Sequence, residues 1–254
     1  MPTLAVQNET VYMLQFWLIT KRLVELGRAL SLPVQQVDEN YIVHCALKEL
    51  FGEAAHCPFS VEANDGRFMR VLMYSMSHAD ELRQLAEIGA SPMVYEVCDW
   101  SRLAGKPMPN AFFQGIRLAF NVRACPVIRK SSSGPYHKAG AEVDAFLSKV
   151  WEINDPKVPI RREDVYRDWL RDRLLNQGGC TPISIEVASF SLDRLYRRTQ
   201  GLERKGKLLK RPNVLFNGEL EVASTSEFRE LLTAGIGRHK RLGFGMIKVR
   251  PMRR

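Results

Sequence analysis

The chain has 254 residues, of which 45% are hydrophobic, and carries a formal net charge of +9 at pH 7. This length suits one large domain or two of about 120 residues, and we favour two. The first residues lack the charged and apolar regions of a secretory signal, and no apolar run reaches the roughly 18 residues of a membrane span. Composition therefore predicts a cytoplasmic globular protein and argues against a secreted or membrane protein.

The sequence offers no obvious metal or cofactor site. Its five cysteines are scattered, without a Cys-x-x-Cys pair or a histidine at zinc-ligand spacing. The carboxylates form no cluster suited to two metal ions, and neither a Walker loop nor a Gly-x-Ser-x-Gly elbow occurs. We therefore expect reduced core cysteines, no metal and no cofactor.

The first 129 residues combine strand patterns with helix patterns. Alternating apolar residues predict strands, and apolar residues three and four apart predict helices. The triplet Asn64-Asp65-Gly66 suits a hairpin turn between two of the strands. The elements expected here are a strand at 11–20, helices at 21–30 and 34–51, strands at 59–63 and 68–76, a helix at 79–88 and a strand at 115–124.

The remaining residues begin with a small, polar segment at 130–135, which is typical of a linker. Each half of the chain approaches the order β-α-β-β-α-β, which favours an α+β protein made of two tandem ferredoxin-like folds, the topology of RNA-recognition motifs. We predict an N-terminal domain at 1–129, a linker at 130–138 and a C-terminal domain at 139–254. The later elements expected are helices at 142–153 and 162–175, strands at 183–191 and 213–222, a helix at 224–233 and a strand at 246–249.

The positive charge is concentrated near the C-terminus. Residues 194–254 contain 16 lysines and arginines against 5 aspartates and glutamates, whereas residues 1–193 contain 21 against 23. A binder of nucleic acid needs such a concentration, because each neutralised phosphate releases counterions and adds affinity. A merely solvated basic surface stays an alternative. An anionic membrane is less favoured, because no basic amphipathic helix with an apolar face is evident.

The first cationic element is the basic arm, which we define as residues 194–211. It lies between two predicted strands, so we expect a long hairpin that contacts phosphates and base edges of a nucleic acid. A mobile, solvated loop is the alternative. The candidate RNA-binding residues of the arm are Arg194, Arg197, Arg198, Arg204, Lys205, Lys207, Lys210 and Arg211.

The second cationic element is the glycine loop, residues 235–245. Four glycines permit tight turns and a close approach of the backbone to a phosphate. A dinucleotide-binding loop is not expected, because that motif opens a helix inside a βαβ unit. The candidate RNA-binding residues of the loop are Gly235, Gly237, Arg238, His239, Lys240, Arg241, Gly243 and Gly245.

Tyr41, His44 and Lys48 stand at helical spacing on roughly one face of the helix predicted at 34–51. Histidine titrates near neutrality and can move protons during RNA cleavage, and tyrosine can orient or polarise an oxygen. The spacing alone leaves a purely structural histidine open.

Three parts of the sequence together match a family pattern. Residues 216–222 read Phe-x-Gly-x-Leu-x-Val and precede the glycine loop, residues 122–127 read Val-Arg-Ala-Cys-Pro-Val, and residues 41–47 read Tyr-x-x-His-x-Ala-Leu. These segments resemble the CRISPR repeat-cleaving endoribonucleases of the repeat-associated mysterious protein superfamily, and are most similar to the subtype I-E branch.

The resemblance implies two tandem ferredoxin-like folds that bind the hairpin of CRISPR repeat RNA and cut at its base without a metal. In that reaction the 2′-OH upstream of the scissile bond attacks the adjacent phosphate. His44 would be the general acid or base and Tyr41 its partner. Arg22 could lie near the same phosphate, on the strength of its placement alone. The implied partners are the repeat RNA and, if the product stays bound, other subunits of a CRISPR effector complex.

Other interpretations remain open at this level. The protein could be a catalytically inactive subunit that binds the crRNA hairpin. It could also be a divergent, type IV version, in which arginines such as Arg22 and Arg241 replace His44 in catalysis. A DNA-binding regulator is less favoured, because the sequence shows no helix-turn-helix with a basic recognition helix.

Overall fold

The structure, a computed structural model, describes residues 10–35, 37–56, 58–109, 112–198 and 206–252. Its N-terminal part is a four-stranded antiparallel sheet with the order β2-β3-β1-β4, and two helices connect β1 to β2. The elements are β1 (Tyr12–Ile19), α1 (Thr20–Ala29), α2 (Glu39–Phe51), β2 (Phe59–Asn64), β3 (Phe68–Ser75), α3 (Ala79–Gly89), α4 (Pro92–Tyr95) and β4 (Ala104–Pro107).

The C-terminal part repeats this topology. Its sheet has the order β10-β5-β9-β8, so that β5, β8, β9 and β10 take the places of β1, β2, β3 and β4. The prediction of an α+β protein with two ferredoxin-like folds is confirmed. The elements are β5 (Arg117–Ala124), β6 (Val127–Arg129), β7 (Glu142–Asp144), α5 (Ala145–Ile153), α6 (Arg162–Gln177), β8 (Cys180–Arg198), β9 (Gly206–Val222), α7 (Thr225–Ala234) and β10 (Ile247–Pro251).

Several element boundaries differ from the sequence prediction. The helix predicted at 34–51 begins at Glu39, because the Asp38 side chain caps it by accepting from a backbone N–H. The helix predicted at 142–153 begins with strand β7, which pairs with β6. The division at 129 and 138 stays a prediction, but β5 pairs with β9 and β10. A boundary before β5 therefore fits the two sheets better.

Each sheet buries one face against its own helices. In β1, Leu14, Phe16 and Leu18 are fully buried in the core that the first sheet shares with α1, α2 and α3. The intervening residues of β1 are partly exposed, as the two-residue repeat of a strand requires. Burial of each such large side chain stabilises the fold by about 1.5–3 kcal/mol. None of the helices within the described ranges has both the length and the apolar character needed to cross a membrane.

The two folds also contact each other directly. The buried hydroxyl of Tyr74 on β3 donates to the backbone carbonyl of Ile247 on β10, at 2.8 Å. Nearby, the ammonium of Lys248 lies 2.6 Å from a carboxylate oxygen of Glu62 on β2. The open face of the first sheet is therefore partly covered by the edge strand of the second.

We expect Tyr74→Phe to lower the free energy of unfolding by about 1–2 kcal/mol, because it leaves a buried carbonyl without its side-chain donor. Urea denaturation measures this change. The matched control is Tyr136→Phe, which removes the same hydroxyl from a side chain that is 62% exposed. Equal losses in the two variants would show that the hydrogen bond between the folds contributes no stability.

Candidate functional site

The start of helix α2 is attached to the C-terminal fold. Asp38 accepts a hydrogen bond from the backbone N–H of Tyr41 at 3.1 Å, and its other carboxylate oxygen accepts from the backbone N–H of Tyr196 on β8 at 3.3 Å. Burial raises the pKa of Asp38, and these hydrogen bonds partly oppose that effect. One capping residue thus fixes both the beginning of α2 and its position against the basic arm.

A partly buried guanidinium reinforces this attachment. Arg123 on β5 donates to the side-chain oxygens of Asn213 at 2.8 Å and Asn40 at 3.2 Å. It also lies 3.5 Å from a carboxylate oxygen of Asp193, and its guanidinium stands 4.6 Å from the ring centre of Phe244. Burial lowers the pKa of Arg123, while Asp193 and Asp38 act in the opposite direction. Strands β5, β8 and β9, helix α2 and the glycine loop therefore meet at one side chain.

The glycine loop is folded tightly against α2. Gly243 has a φ of +73°, and a Cβ atom there would stand 2.6 Å from the side-chain oxygen of Asn40. The N–H of Gly245 donates to the carbonyl of Arg123, and the N–H of Ile236 donates to the carbonyl of Gly245. At least two of the four glycines are thus required by the packing of the loop on the protein itself.

Tyr41 and His44 lie on α2 beside this loop. The Tyr41 ring packs against the small apolar cluster that includes Leu242 and Phe244. Its centre is 5.5 Å from that of the Tyr196 ring and 6.3 Å from that of the half-buried His44. The structure therefore places the two candidate catalytic residues on one turn of α2 and sets Tyr41 next to the glycine loop and the arm.

Three of the candidate RNA-binding residues converge on one carboxylate. Glu142, which begins β7, contacts Arg238 at 2.6 Å, His239 at 2.9 Å and Arg211 at 3.5 Å. Its side chain is only 9% exposed. Burial raises the pKa of Glu142, but His239, Arg238 and Arg211 together outweigh this effect, and the net shift is downward. Glu142 thus links the glycine loop to the basic arm.

Other cations of the site are exposed or half-buried. Arg241 is exposed, and burial lowers the pKa of the half-buried Lys240, with which no carboxylate among the described residues pairs. Arg194 and Lys210 are both exposed and stand directly opposite each other in the ladder between β8 and β9. Like charges in such a pair repel, so this rung favours a bound anion.

The remaining arm residues are described less fully. Arg204 and Lys205 lie outside the described residues. Arg197 and Arg198 continue β8, and Lys207 stands opposite Arg197 in the register of β9. The hairpin predicted for the arm is thus present as the paired ends of these two strands.

Arg22 is engaged elsewhere. It lies on α1, where its guanidinium is 3.0 Å from Glu25 and 2.8 Å from Glu96. The hydrogen bond with Glu25, followed by the charge of Glu96, raises the pKa of Arg22. The contacts described for Arg22 do not join it to Tyr41 or His44, and its proposed proximity to the phosphate stays a prediction.

Metal-ligand side chains are dispersed in the described ranges of the chain, where no three His, Cys, Asp or Glu residues are grouped to hold an ion. Cys98, Cys125 and Cys180 are buried free thiols, and burial raises the pKa of each to about 12. These cysteines are core residues.

Sequence patterns did not reveal the polar side chains that assemble the site. Asp38 carries a local signal, because an aspartate just before a helical pattern is a preferred cap. Arg123 lies in the segment 122–127 that matches the family pattern, but that pattern assigned it no role. Asn40, Asp193 and Glu142 gave no signal, since their partners are distant in the sequence.

These features define a class of protein in which two tandem ferredoxin-like folds meet at a histidine-bearing helix, a cationic hairpin and a glycine-rich loop. A family model described as "CRISPR associated protein" matches residues 12–251. The chain therefore belongs to this family of CRISPR-associated proteins, and the predicted resemblance is confirmed.

Individual relatives agree with this assignment. The CRISPR-associated endoribonuclease Cse3 of Thermus thermophilus is 28% identical over 152 residues, a match that spans 58% of this chain and 61% of that protein. The structure of Thermus thermophilus Cse3 bound to an RNA representing a pre-cleavage complex has a TM-score of 0.59, at 21% identity over 95% of this chain and 100% of that one. A chain of a CRISPR RNA-guided surveillance complex has a TM-score of 0.54, at 14% identity over 94% and 100%. These structural similarities support the tandem fold.

We expect Glu142→Gln to make the stability of the protein less dependent on pH. Because the folded-state pKa of Glu142 is lowered, the ion pairs contribute stability above the ordinary pKa of a glutamate and lose it as the pH falls through the folded-state value. Urea unfolding between pH 7 and about pH 3, a range that passes below the ordinary glutamate pKa, measures the difference between wild type and variant, which should shrink with acidification. The control is Glu163→Gln on an exposed helix end. A difference that stays constant over this range would contradict the ionic role.

Proposed function

We propose that this protein is a metal-independent endoribonuclease that cleaves CRISPR repeat RNA at the base of its hairpin to produce mature crRNA. The observation that carries the proposal is the packing of the Tyr41–His44 turn of α2 against the glycine loop, within a cationic C-terminal fold. Groups that can transfer protons thus adjoin groups that can bind phosphate. The similarity to Cse3, an endoribonuclease, supports the same activity.

The proposed reaction uses the RNA as its own nucleophile. The 2′-oxygen upstream of the cut attacks the adjacent phosphorus while the bond from phosphorus to the 5′-oxygen breaks. The 2′-OH loses a proton and the leaving 5′-oxygen gains one, which leaves a 2′,3′-cyclic phosphate and a 5′-hydroxyl. His44 performs one of these proton transfers, and Tyr41 orients a reacting oxygen. The nearby cations stabilise the charge that develops on the phosphate.

The basic arm and the glycine loop bind the repeat hairpin in this proposal. Exposed Arg194 and Lys210 hold phosphates on the arm, and Lys240 and Arg241 do so on the loop. Arg211, Arg238 and His239 already share Glu142, so their contribution includes holding the loop in shape. Such contacts make affinity strongly dependent on salt.

We further propose that the product stays bound and that the protein then acts as a subunit of an effector complex. The fold shared with a chain of a CRISPR RNA-guided surveillance complex supports this role. A hairpin-binding subunit without activity would use the same arm and loop, but it would not need Tyr41 or His44.

We expect His44→Ala to slow cleavage of a repeat RNA by about 10²- to 10⁴-fold, because a general acid or base contributes about this much. Binding of the RNA should stay within about threefold of wild type. Single-turnover cleavage with excess protein measures the rate, and filter binding measures affinity. The control is Glu49→Ala, on the same helix and exposed but outside the Tyr41–His44–Lys48 face, which should retain the wild-type rate. A loss below about threefold for His44→Ala would assign this histidine a structural role.

The same assay tests the chemistry. Cleavage should continue in EDTA and stop when the nucleotide upstream of the cut is deoxyribose. Cleavage of the deoxy substrate would exclude the proposed nucleophile. Tight binding with no cleavage of unmodified RNA would identify an inactive hairpin-binding subunit.

We expect the double variant Arg194→Ala, Lys210→Ala to bind repeat RNA more weakly. The slope of log affinity against log salt concentration should become shallower by roughly 1 for each lost phosphate contact. Affinity measured over a series of salt concentrations gives this slope. The control removes two exposed cations elsewhere, Lys157 and Arg161. Equal slopes in both double variants would show that the arm makes no phosphate contacts.

A further inference from the structure

The first sheet carries a polar and aromatic surface that the proposed site does not use. It lies on the sheet face opposite α1 and α2. In the register of the central strands, Trp17 on β1 stands directly opposite Arg70 on β3, and Phe68 precedes Arg70 by two residues on the same face. All three side chains are partly exposed. The part of this face that β10 covers lies further along the strands, at Tyr74.

An arginine is stacked on this face. The guanidinium of Arg102 lies 3.6 Å from the ring centre of Trp17 and 4.8 Å from that of Phe68. The Trp17 and Phe68 rings meet edge to face, with centres 6.5 Å apart. We call Trp17, Phe68 and Arg102 the sheet platform. Since Arg102 is exposed, the outer surface of the platform is a flat, cationic group.

The backbone holds this arrangement in place. The N–H of Asp99 donates to the carbonyl of Trp17 at 2.9 Å, and the N–H of Arg102 donates to the carbonyl of Asp99 at 3.1 Å. An isolated bridge also joins Leu18 to Cys98. The turn that carries Arg102 is thereby fixed to the edge of β1. Because its backbone is already ordered, a ligand would bind there with little cost in conformational entropy.

Further cations surround the platform. The guanidinium of exposed Arg67 lies 5.1 Å from the ring centre of Phe68. The Nε of Arg70 is buried and makes no hydrogen bond within the part of the chain that the structure describes. The nearby Asp65 accepts hydrogen bonds from the backbone N–H groups of Arg67 and Phe68 at the hairpin tip. An anionic ligand with a planar group fits this surface.

We propose that the sheet platform binds an unpaired RNA base, stacked on the outer face of Arg102, with the adjoining phosphates near Arg67 and Arg70. Aromatic rings and guanidinium planes both serve as stacking surfaces for unpaired bases, and ferredoxin-like RNA-recognition motifs present such groups on the central strands of their sheet. The inference rests on the proposed function, because it identifies the ligand as the single-stranded flank of the repeat hairpin that the C-terminal fold binds.

The test compares two RNAs, the repeat hairpin with its single-stranded flanks and the same hairpin trimmed of them. Wild type should bind the flanked RNA more tightly. Arg102→Ala should weaken binding of the flanked RNA by about 5- to 100-fold, the range expected for loss of one stacked base, and leave the trimmed hairpin within about twofold. Arg102→Lys, which keeps the positive charge but loses the planar guanidinium, should also weaken binding of the flanked RNA. Phe68→Leu keeps an apolar side chain but loses the aromatic ring, and it should weaken binding of the flanked RNA as well.

The control is Arg117→Ala, an exposed arginine on the second sheet whose removal changes the charge equally. If Arg102→Ala and Arg102→Lys bind both RNAs as wild type does, or if wild type does not distinguish the two RNAs, the platform is not a base-binding site. Cleavage by wild type in the same samples separates this result from a failure of the proposed function. If wild type neither binds nor cleaves either RNA, both proposals are wrong.

Discussion

The arrangement of the two folds depends on the partly buried guanidinium of Arg123. A charged group removed from water must be matched by hydrogen-bond acceptors, and here these acceptors come from both folds, with Asn40 on α2 and Asp193 and Asn213 on the strands of the arm. Any displacement of α2 would leave part of this guanidinium unsatisfied. One partly buried charge therefore fixes where α2 stands relative to the glycine loop.

The other contacts of the site follow from this constraint. With α2 fixed, Gly243 must lack a side chain because Asn40 occupies the space, and Tyr41 reaches the apolar cluster beneath the loop. Asp38 completes the junction by capping α2 and accepting from β8. The site is thus built at a junction between the two folds, where hydrogen bonds and packing hold its side chains in place.

The sequence predicted the elements well where the pattern is local. The alternation in β1 and β5 and the apolar spacing in α2 and α6 are properties of short windows, so the tandem fold could be inferred. The apolar pattern before Asp38 predicts too early a start for α2, because the cap at Asp38 begins the helix at Glu39. The contacts of Glu142 with Arg238 and of Arg102 with Trp17 join residues far apart in the chain. No local pattern encodes such pairs, which appear only once the topology is known.

The opposed cations of the arm have a thermodynamic consequence. Arg194 and Lys210 share one rung of the ladder between β8 and β9, so that backbone pairing there works against Coulomb repulsion. A polyanion that binds both side chains offsets this repulsion and so stabilises the end of the hairpin. By linkage, whatever tightens the hairpin must raise the affinity for the polyanion by the same factor. One coupling free energy therefore describes both how polyanion binding stabilises the strand pairing and how strand pairing strengthens polyanion binding.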